Sequence, residues 1–389
     1  MAKFKLKDFA KDISVAIKDA QSSPLKQFVG LEHYDSGEPV ITRFTDTRLI
    51  SSSVKEFKEN DILIARRNVY LRRAGIAFFS GLTSGDSIIL RIYDDCEEKT
   101  GIPKEDAIKI LPFILNSNDF WNYANKHADG MNSKRISKDM LYDYEFDLPS
   151  LSEQKILADK LWAAYRLKES YKKLLAATDE MVKSQFIEMF GNPLSQVQRY
   201  PLEKLGDCCE LNPRRPSISL SDTDMVSFVP MPCVSENGYL QDVAEEEYGK
   251  VKKGFTYFEN NDVLFAKITP CMENGKGAIA QELTNGIGMG STEFHVLRPV
   301  EGKSNSYWLL ALTRMPIFRE RASKNMSGTG GQKRVGAPFL DNFMVGLPPI
   351  EEQNRFERIY KQADKSKFEL RKSIEAIDQV IKSLINDIK

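Results

Sequence analysis

The sequence predicts an α/β chain in which one plan is used twice: a β-rich block, a long α-helix, a second β-rich block and a second long helix. Three observations carry that prediction. A helical segment occurs twice in one register, both copies keep a 4,3 apolar spacing, and the blocks before them share short strand patterns.

The repeat is explicit in the residues. LPSLSEQ at 148–154 returns as LPPIEEQ at 347–353, and 347 minus 148 gives an offset of 199 residues that then holds without a gap. Lys168, Lys173 and Ala177 meet Lys367, Lys372 and Ala376, and TDEMVKS at 178–184 meets IDQVIKS at 377–383. Two such units in one chain imply a pseudo-twofold molecule able to address two similar surfaces on one partner.

Both copies read as helices. In the second, Phe356, Tyr360, Ala363, Lys367, Leu370, Ile374, Ile377, Ile381, Leu384 and Ile388 form the seam of a coiled coil. In the first, the same frame holds Leu157, Leu161, Ala164, Lys168, Tyr171, Leu175, Thr178, Val182, Gln185 and Met189. Pro149 and Pro348-Pro349 stand at the starts, where a missing N–H costs nothing, and Gly191-Asn192-Pro193 ends the first helix. A helix of about 38 residues spans roughly 57 Å. An amphipathic helix of that length needs a partner. The other copy is the nearest one, and docking of each helix on its own block is the alternative. Periodicity leaves the direction of pairing open; the repeat favours an antiparallel pair, with Lys168 and Lys367 as matched polar register markers.

The blocks also match. EFKENDILIAR at 56–66 parallels YFENNDVLFAK at 257–267: an Asn-Asp turn, then an apolar strand ending in a base, Arg66 or Lys267. SGDSIILRI at 84–92 parallels STEFHVLRP at 291–299, aligning Asp86 with Glu293 and Arg91 with Arg298. Lys134-Arg135 aligns with Lys333-Arg334.

Composition agrees with two or three globular domains: 389 residues, 41% hydrophobic and 28% charged, leave each block enough chain to bury a core. No apolar run reaches membrane-span length and MAKFKLKDFA is no signal peptide, so we expect a cytoplasmic protein without membrane contact. Cys96, Cys208, Cys209, Cys233 and Cys271 show no CxxC spacing, and His33, His127 and His295 are scattered, which points to reduced cysteines and no metal site. A net charge of zero argues against a generic nucleic-acid binder. Local basic clusters remain: Arg66, Arg67, Arg72 and Arg73; Lys134, Arg135 and Lys138; Arg214 and Arg215; Lys250, Lys252 and Lys253; Lys333 and Arg334. Each could equally be a solvated face.

Catalytic motifs are missing. There is no Walker loop, Gly-x-Ser-x-Gly elbow or HExxH; CMENGKGAIA at 271–280 lacks the upstream glycine and the hydroxyl of a phosphate loop. Neither LNPRRP nor FGNPL is the Asn-Pro-Pro-aromatic pocket that holds a flipped base. The chain reads as a non-enzyme whose chemistry comes from a partner.

The order of block, LPxxxEQ helix, FGNP turn at 190–193, second block and second LPxxxEQ helix resembles the DNA-specificity subunit of Type I restriction-modification systems over essentially the full chain. The resemblance implies target recognition domains of mixed α+β structure at 1–147 and 194–346, and spacer helices at 148–193 and 347–389 that form an antiparallel coiled coil. Each domain would read one half of a split double-stranded DNA target. The helices would set the half-site distance and dock two methyltransferase subunits, with restriction subunits joining the full complex. S-adenosylmethionine, Mg and ATP would sit on those partners and none on this chain. In this frame SGTGGQKR at 327–334 supplies Gln332, Lys333 and Arg334 to DNA beside glycines that admit the backbone. Its counterpart GMNSKR at 130–135 lacks Gly-Gly-Gln but keeps Lys134 and Arg135, and Arg66, Arg67 and Lys267 stand at the matched strand ends. A Lys-Arg pair shared by two readers of different sequences suits phosphates. Two other classes stay open: a protein-interaction scaffold with a coiled-coil rod, and an enzyme with a degenerate motif. Duplex affinity that falls steeply with salt excludes the first, and assay of the chain alone with DNA and S-adenosylmethionine decides the second.

Overall fold

A run of β-branched residues in register with a second such run buries best as a sheet, and both blocks are built around that rule. The computed structural model describes residues 2–131, 133–192, 199–329 and 331–386, so Asn132, Pro193, Gly330 and the seam position Ile388 lie outside the described residues. The chain divides into two units, 1–172 with 372–389, and 173–371. The helices, Leu151–Phe190 and Ile350–Asn386, therefore each contribute one half to each unit. They begin a turn later than expected, because Leu148 still pairs with Ala2 and Gly346 with Leu202 in short antiparallel ladders that close each block.

In the first unit a four-stranded antiparallel sheet runs in the order Ala10–Asp12, Ser87–Ile92, Ile62–Ala65, Ala74–Ile76. A five-stranded sheet adds Val15–Ile17, Val54–Phe57, Gly81–Ser84, Gln27–Val29 and Thr45–Asp46, with Gln27–Val29 parallel to Gly81–Ser84. Helices Lys104–Ile114 and Asn118–Lys126 cover the first sheet through Phe113, Phe120 and Trp121, all buried. The second unit repeats this with Cys209–Leu211, Phe294–Pro299, Val263–Ala266 and Gly277–Ile279, and with Ala244–Glu247, Met225–Val229, Ile287–Gly290 and Thr256–Glu259. Again one pair is parallel, Met225–Val229 with Ile287–Gly290, and helices Ser306–Arg314 and Pro316–Lys324 bring Trp308 and Phe318 into the core.

The Asn-Asp turns explain part of the matched sequence. Asn60 and Asn261 sit at φ +69° and +74°, a left-handed conformation that asparagine tolerates. The next residue, Asp61 or Asp262, is buried and takes the fork of Arg91 at 2.8 and 2.7 Å, or of Arg298 at 2.8 Å twice. A buried carboxylate needs such a bidentate partner. The aligned arginines are thus internal ties that clamp a turn to the neighbouring strand.

LPxxxEQ is a device for starting a helix against a core. Gln154 donates from Nε2 to the Pro149 carbonyl at 2.8 Å, and Gln353 to the Pro348 carbonyl at 2.8 Å. Both glutamines are buried, and Gln353 also joins the Lys303 carbonyl and the Asn305 N–H. In the first copy the Glu153 carboxylate reaches back to Ser150, accepting from its N–H at 3.0 Å and from its hydroxyl at 2.6 Å.

In the second unit the helix halves run antiparallel: Lys367 meets Asp179 at 2.9 Å, while further along the first helix Phe186 and Phe190 meet Phe356, earlier in the second, edge to face. In the first unit Lys168 meets Asp378 at 2.6 Å, and Leu161, Ile381 and Leu384 share the core. Of the remaining seam positions, Val182 and Tyr360 are buried, and Leu157, Leu175, Leu370, Ile374 and Ile377 are half-buried. The two alternatives for the seam merge, since each helix half packs at once on a partner helix half and on a block. Both lysines are buried and both gain more than the helix partner: Lys168 also meets Glu38 at 2.7 Å, and Lys367 also meets Asp364 at 2.9 Å and faces the Tyr239 and Tyr360 rings. Burial works to raise the Glu38 carboxyl, and bonds from Lys168 and Lys172 outweigh it, leaving it below its usual value.

Two consequences are measurable. Removing both Asp179 and Asp364 leaves the Lys367 ammonium buried without a carboxylate, which we expect to cost about 3 kcal/mol of second-unit stability in urea unfolding. Lys367→Met should cost much less; equal losses would show that the ammonium reaches water. The second concerns His295, buried in strand Phe294–Pro299. Its Nε2 lies 2.9 Å from the Val335 carbonyl and its Nδ1 3.1 Å from the Asn212 amide nitrogen, an arrangement suited to the neutral ring that donates from Nε2. Burial pushes its pKa below the ordinary value. The unfolded chain then binds the proton better, so the stabilisation is complete above about pH 6.5 and is lost as pH falls through the depressed value. Unfolding midpoints of the second unit should fall over that range in the parent and stay flatter in His295→Gln.

Candidate nucleic-acid interface

Each block carries a short hairpin held against the end of a central strand. In the first, Asp129 and Arg135 exchange backbone hydrogen bonds of 2.9 and 2.8 Å. The hairpin then docks on the chain leaving Ile62–Ala65: the Ile136 N–H reaches the Arg66 carbonyl at 3.0 Å, and the Asn68 N–H reaches the Lys134 carbonyl at 2.7 Å. The second block repeats both links, Val335 to Lys267 at 2.9 Å and Thr269 to Lys333 at 3.0 Å, with Ser327 opposite Arg334. The bond from His295 to the Val335 carbonyl adds a third anchor there.

The glycines have a steric reason. Gly130 at φ +111° would place a Cβ 2.9 Å from the Ser133 carbonyl oxygen, and Gly328 at φ +126° would place one 2.8 Å from that of Gln332. Gly130 and Gly328 are therefore equivalent, although the constant offset does not align them: the second hairpin is longer by one residue between its glycine and its Lys-Arg pair. The hairpins thus diverge at their tips and agree at their bases.

The structure brings the expected residues together in two groups. Lys134, Arg135, Gln332 and Lys333 are exposed, and neither lysine makes an ion pair among the described residues. Arg66, Arg67, Lys267 and Arg334 are half-buried beside an acid that the sequence had aligned without assigning a role. In the first block Asp86 lies 3.1 Å from Arg67 Nη1 and 3.7 Å from Arg66 Nε. In the second, Glu293 takes Arg334 at 2.9 and 2.8 Å, and the Arg334 fork holds its carboxyl below the usual range. The backbone is matched too, Arg66 N–H to the Asp86 carbonyl at 3.0 Å and Lys267 N–H to that of Glu293 at 2.9 Å.

Several members of the other basic clusters are taken up by the fold. Arg73 donates to the carbonyls of Leu31 and Arg67, Arg72 to Asn118, Lys252 pairs with Asp222 and Lys250 with Glu247. Among the described residues no group of His, Cys, Asp and Glu could hold a metal ion, all five cysteines are free, and no helix is long and apolar enough to cross a membrane. What remains at the hairpins is a platform of exposed cations, a backbone made approachable by glycine, and an arginine fixed on a carboxylate. Such a surface suits an anionic polymer with hydrogen-bonding edges.

Residues 202–379 match the model of the Type I restriction modification DNA specificity domain. The chain is 32% identical over 235 residues to the EcoEI type I restriction enzyme specificity subunit of Escherichia coli, covering 56% of this chain and 39% of that one. For the EcoAI specificity subunit of the same organism the identity is 34% over 236 residues, covering 57% and 39%. The chain thus spans about two-fifths of the length of these relatives. A crystal structure of the Type-I restriction-modification system S subunit from M. genitalium superposes with a TM-score of 0.55 over 100% of this chain and 95% of that one, at 12% identity, which is likeness of fold. Over residues 202–379 the chain is thus similar to Type I restriction modification DNA specificity domains, and its mixed α/β blocks and long helices share the fold of a solved S subunit.

Proposed function

We propose that this chain reads a bipartite double-stranded DNA target, one half-site with each block, and that its helices set the half-site distance and dock two methyltransferase subunits. The observation that carries this reading is the repeated platform: an exposed lysine beside a glycine-bent hairpin, docked on the same strand end in both units. Lys134 and Lys333 meet phosphates, which need only charge. The helices serve as a spacer because each runs unbroken, and because the buried pairs Lys168–Asp378 and Lys367–Asp179 resist a slip of register. Leu167, Leu174 and Met181, seven residues apart on the first helix, leave apolar surface in water, which favours a protein partner there. Catalysis, with S-adenosylmethionine, Mg and ATP, belongs in this reading to the methyltransferase and restriction subunits, and this chain contributes specificity alone.

Lys333→Ala and Lys134→Ala should each weaken duplex binding evenly across sequences and lower the salt slope by about one unit. Binding at several salt concentrations to duplexes varied in each half-site checks this, and unchanged slopes would take the hairpins out of the interface. Inserting one heptad into both helices, between Lys168 and Asp179 and between Lys367 and Asp378, preserves both ion pairs and adds about 10 Å. Mapped methylation should then show the same half-sites separated by about three more base pairs. Altered half-sites at an unchanged distance would refute the spacer role.

A further inference from the structure

The two readers use the same carboxylate to hold different arginines. Asp86 and Glu293 occupy matched positions before the strands Ser87–Ile92 and Phe294–Pro299. Asp86 takes Arg67, which follows the central strand and whose Nε lies 3.4 Å from the Ser133 hydroxyl. Glu293 takes Arg334, which stands on the hairpin; the residue matching Arg67 in that block is Ile268. Arg334 is held on two sides, because Nη1 also donates to the Gln332 carbonyl at 3.0 Å. One N–H on each terminal nitrogen is left uncommitted among the described residues.

An arginine neutralised by a carboxylate is poorly suited to attracting phosphate, since the pair presents little net charge. It is well suited to reading a base. A guanidinium already fixed in its plane loses less freedom on binding, and its two outward N–H groups match the O6 and N7 acceptors of guanine in the major groove. A solvent-facing ion pair of no consequence is the competing account, and it gives no reason for the carboxylate to recur while its arginine changes place. We propose that Arg334, positioned by Glu293, and Arg67, positioned by Asp86, each read a guanine in their half-site. The exchange of arginine between hairpin and strand end then makes the two half-sites different. This rests on the reading that both blocks bind DNA.

The test uses the full chain in complex with its methyltransferase subunits, and duplexes in which each position of a mapped target is varied singly. Arg334→Lys and Arg334→Ala should lose about tenfold or more on the intact target, and should no longer distinguish bases at one G·C pair of one half-site. Their salt slope should stay that of the parent, and Glu293→Ala should relax the same position. Arg67→Lys should relax one position of the other half-site and leave the first intact, which separates loss of reading from loss of folding. An even loss over all sequences with the slope lowered by about one would make these arginines phosphate contacts and overturn the assignment, as would discrimination equal to the parent's. A parent complex without salt-dependent duplex binding would overturn the DNA reading itself, and the assignment with it.

Discussion

An ammonium taken out of water must meet a carboxylate, and that requirement governs how the long helices pair. Lys168 and Lys367 fall where the heptad frame calls for an apolar side chain, so each is carried into the seam by its neighbours. Each finds an aspartate on the facing helix, Asp378 or Asp179, and each needs a second acid as well, Glu38 or Asp364. A slip of one heptad would keep the apolar seam but bury two ammonium groups without partners. The cost of that error, several kcal/mol per site, is what makes a generic amphipathic pair into one with a single register.

The same lysines tie helices to blocks. Glu38 belongs to the first block, and Tyr239, whose ring faces Lys367 and whose hydroxyl donates to Asp364 at 2.6 Å, belongs to the second. Burial and the Asp364 carboxylate push the Tyr239 hydroxyl well above its ordinary pKa, so it stays a donor. The acids and rings differ between the units while the lysine stays. A polar cluster that also spans helix and loop is harder to repack than an apolar patch, and it orients the block on the helix pair that carries it.

Within each block the division is between what clamps and what varies. Asp61 with Arg91 and Asp262 with Arg298 are near-identical clamps, as are the backbone links from hairpin to strand end. Hairpin length, the exposed tip residues and the arginine chosen by the shared carboxylate all differ. A frame of this kind lets the surface diverge without loss of the fold, because the changing side chains bear little of the packing.

The sequence by itself determined the repeated plan, the two helices with their seam, the Asn-Asp turns and the Lys-Arg pairs, because helix period, proline placement and turn chemistry are local properties written in neighbouring residues. Pairing was beyond it. Arg91 and Arg298 stood among the aligned bases, yet only the fold reveals them as internal clamps, and Arg73 left its cluster for the Leu31 carbonyl in the same way. Asp86 and Glu293 were aligned without a role, since an acid in a strand pattern says nothing about which distant base will reach it. The slip between Gly130 and Gly328 was hidden for a related reason: a one-residue difference inside a hairpin leaves its base in register, and φ is set by the closure of the turn. Tertiary structure decided these points because an ion pair or a tight turn is selected by what lies across the fold, at sequence separations where no periodicity reaches.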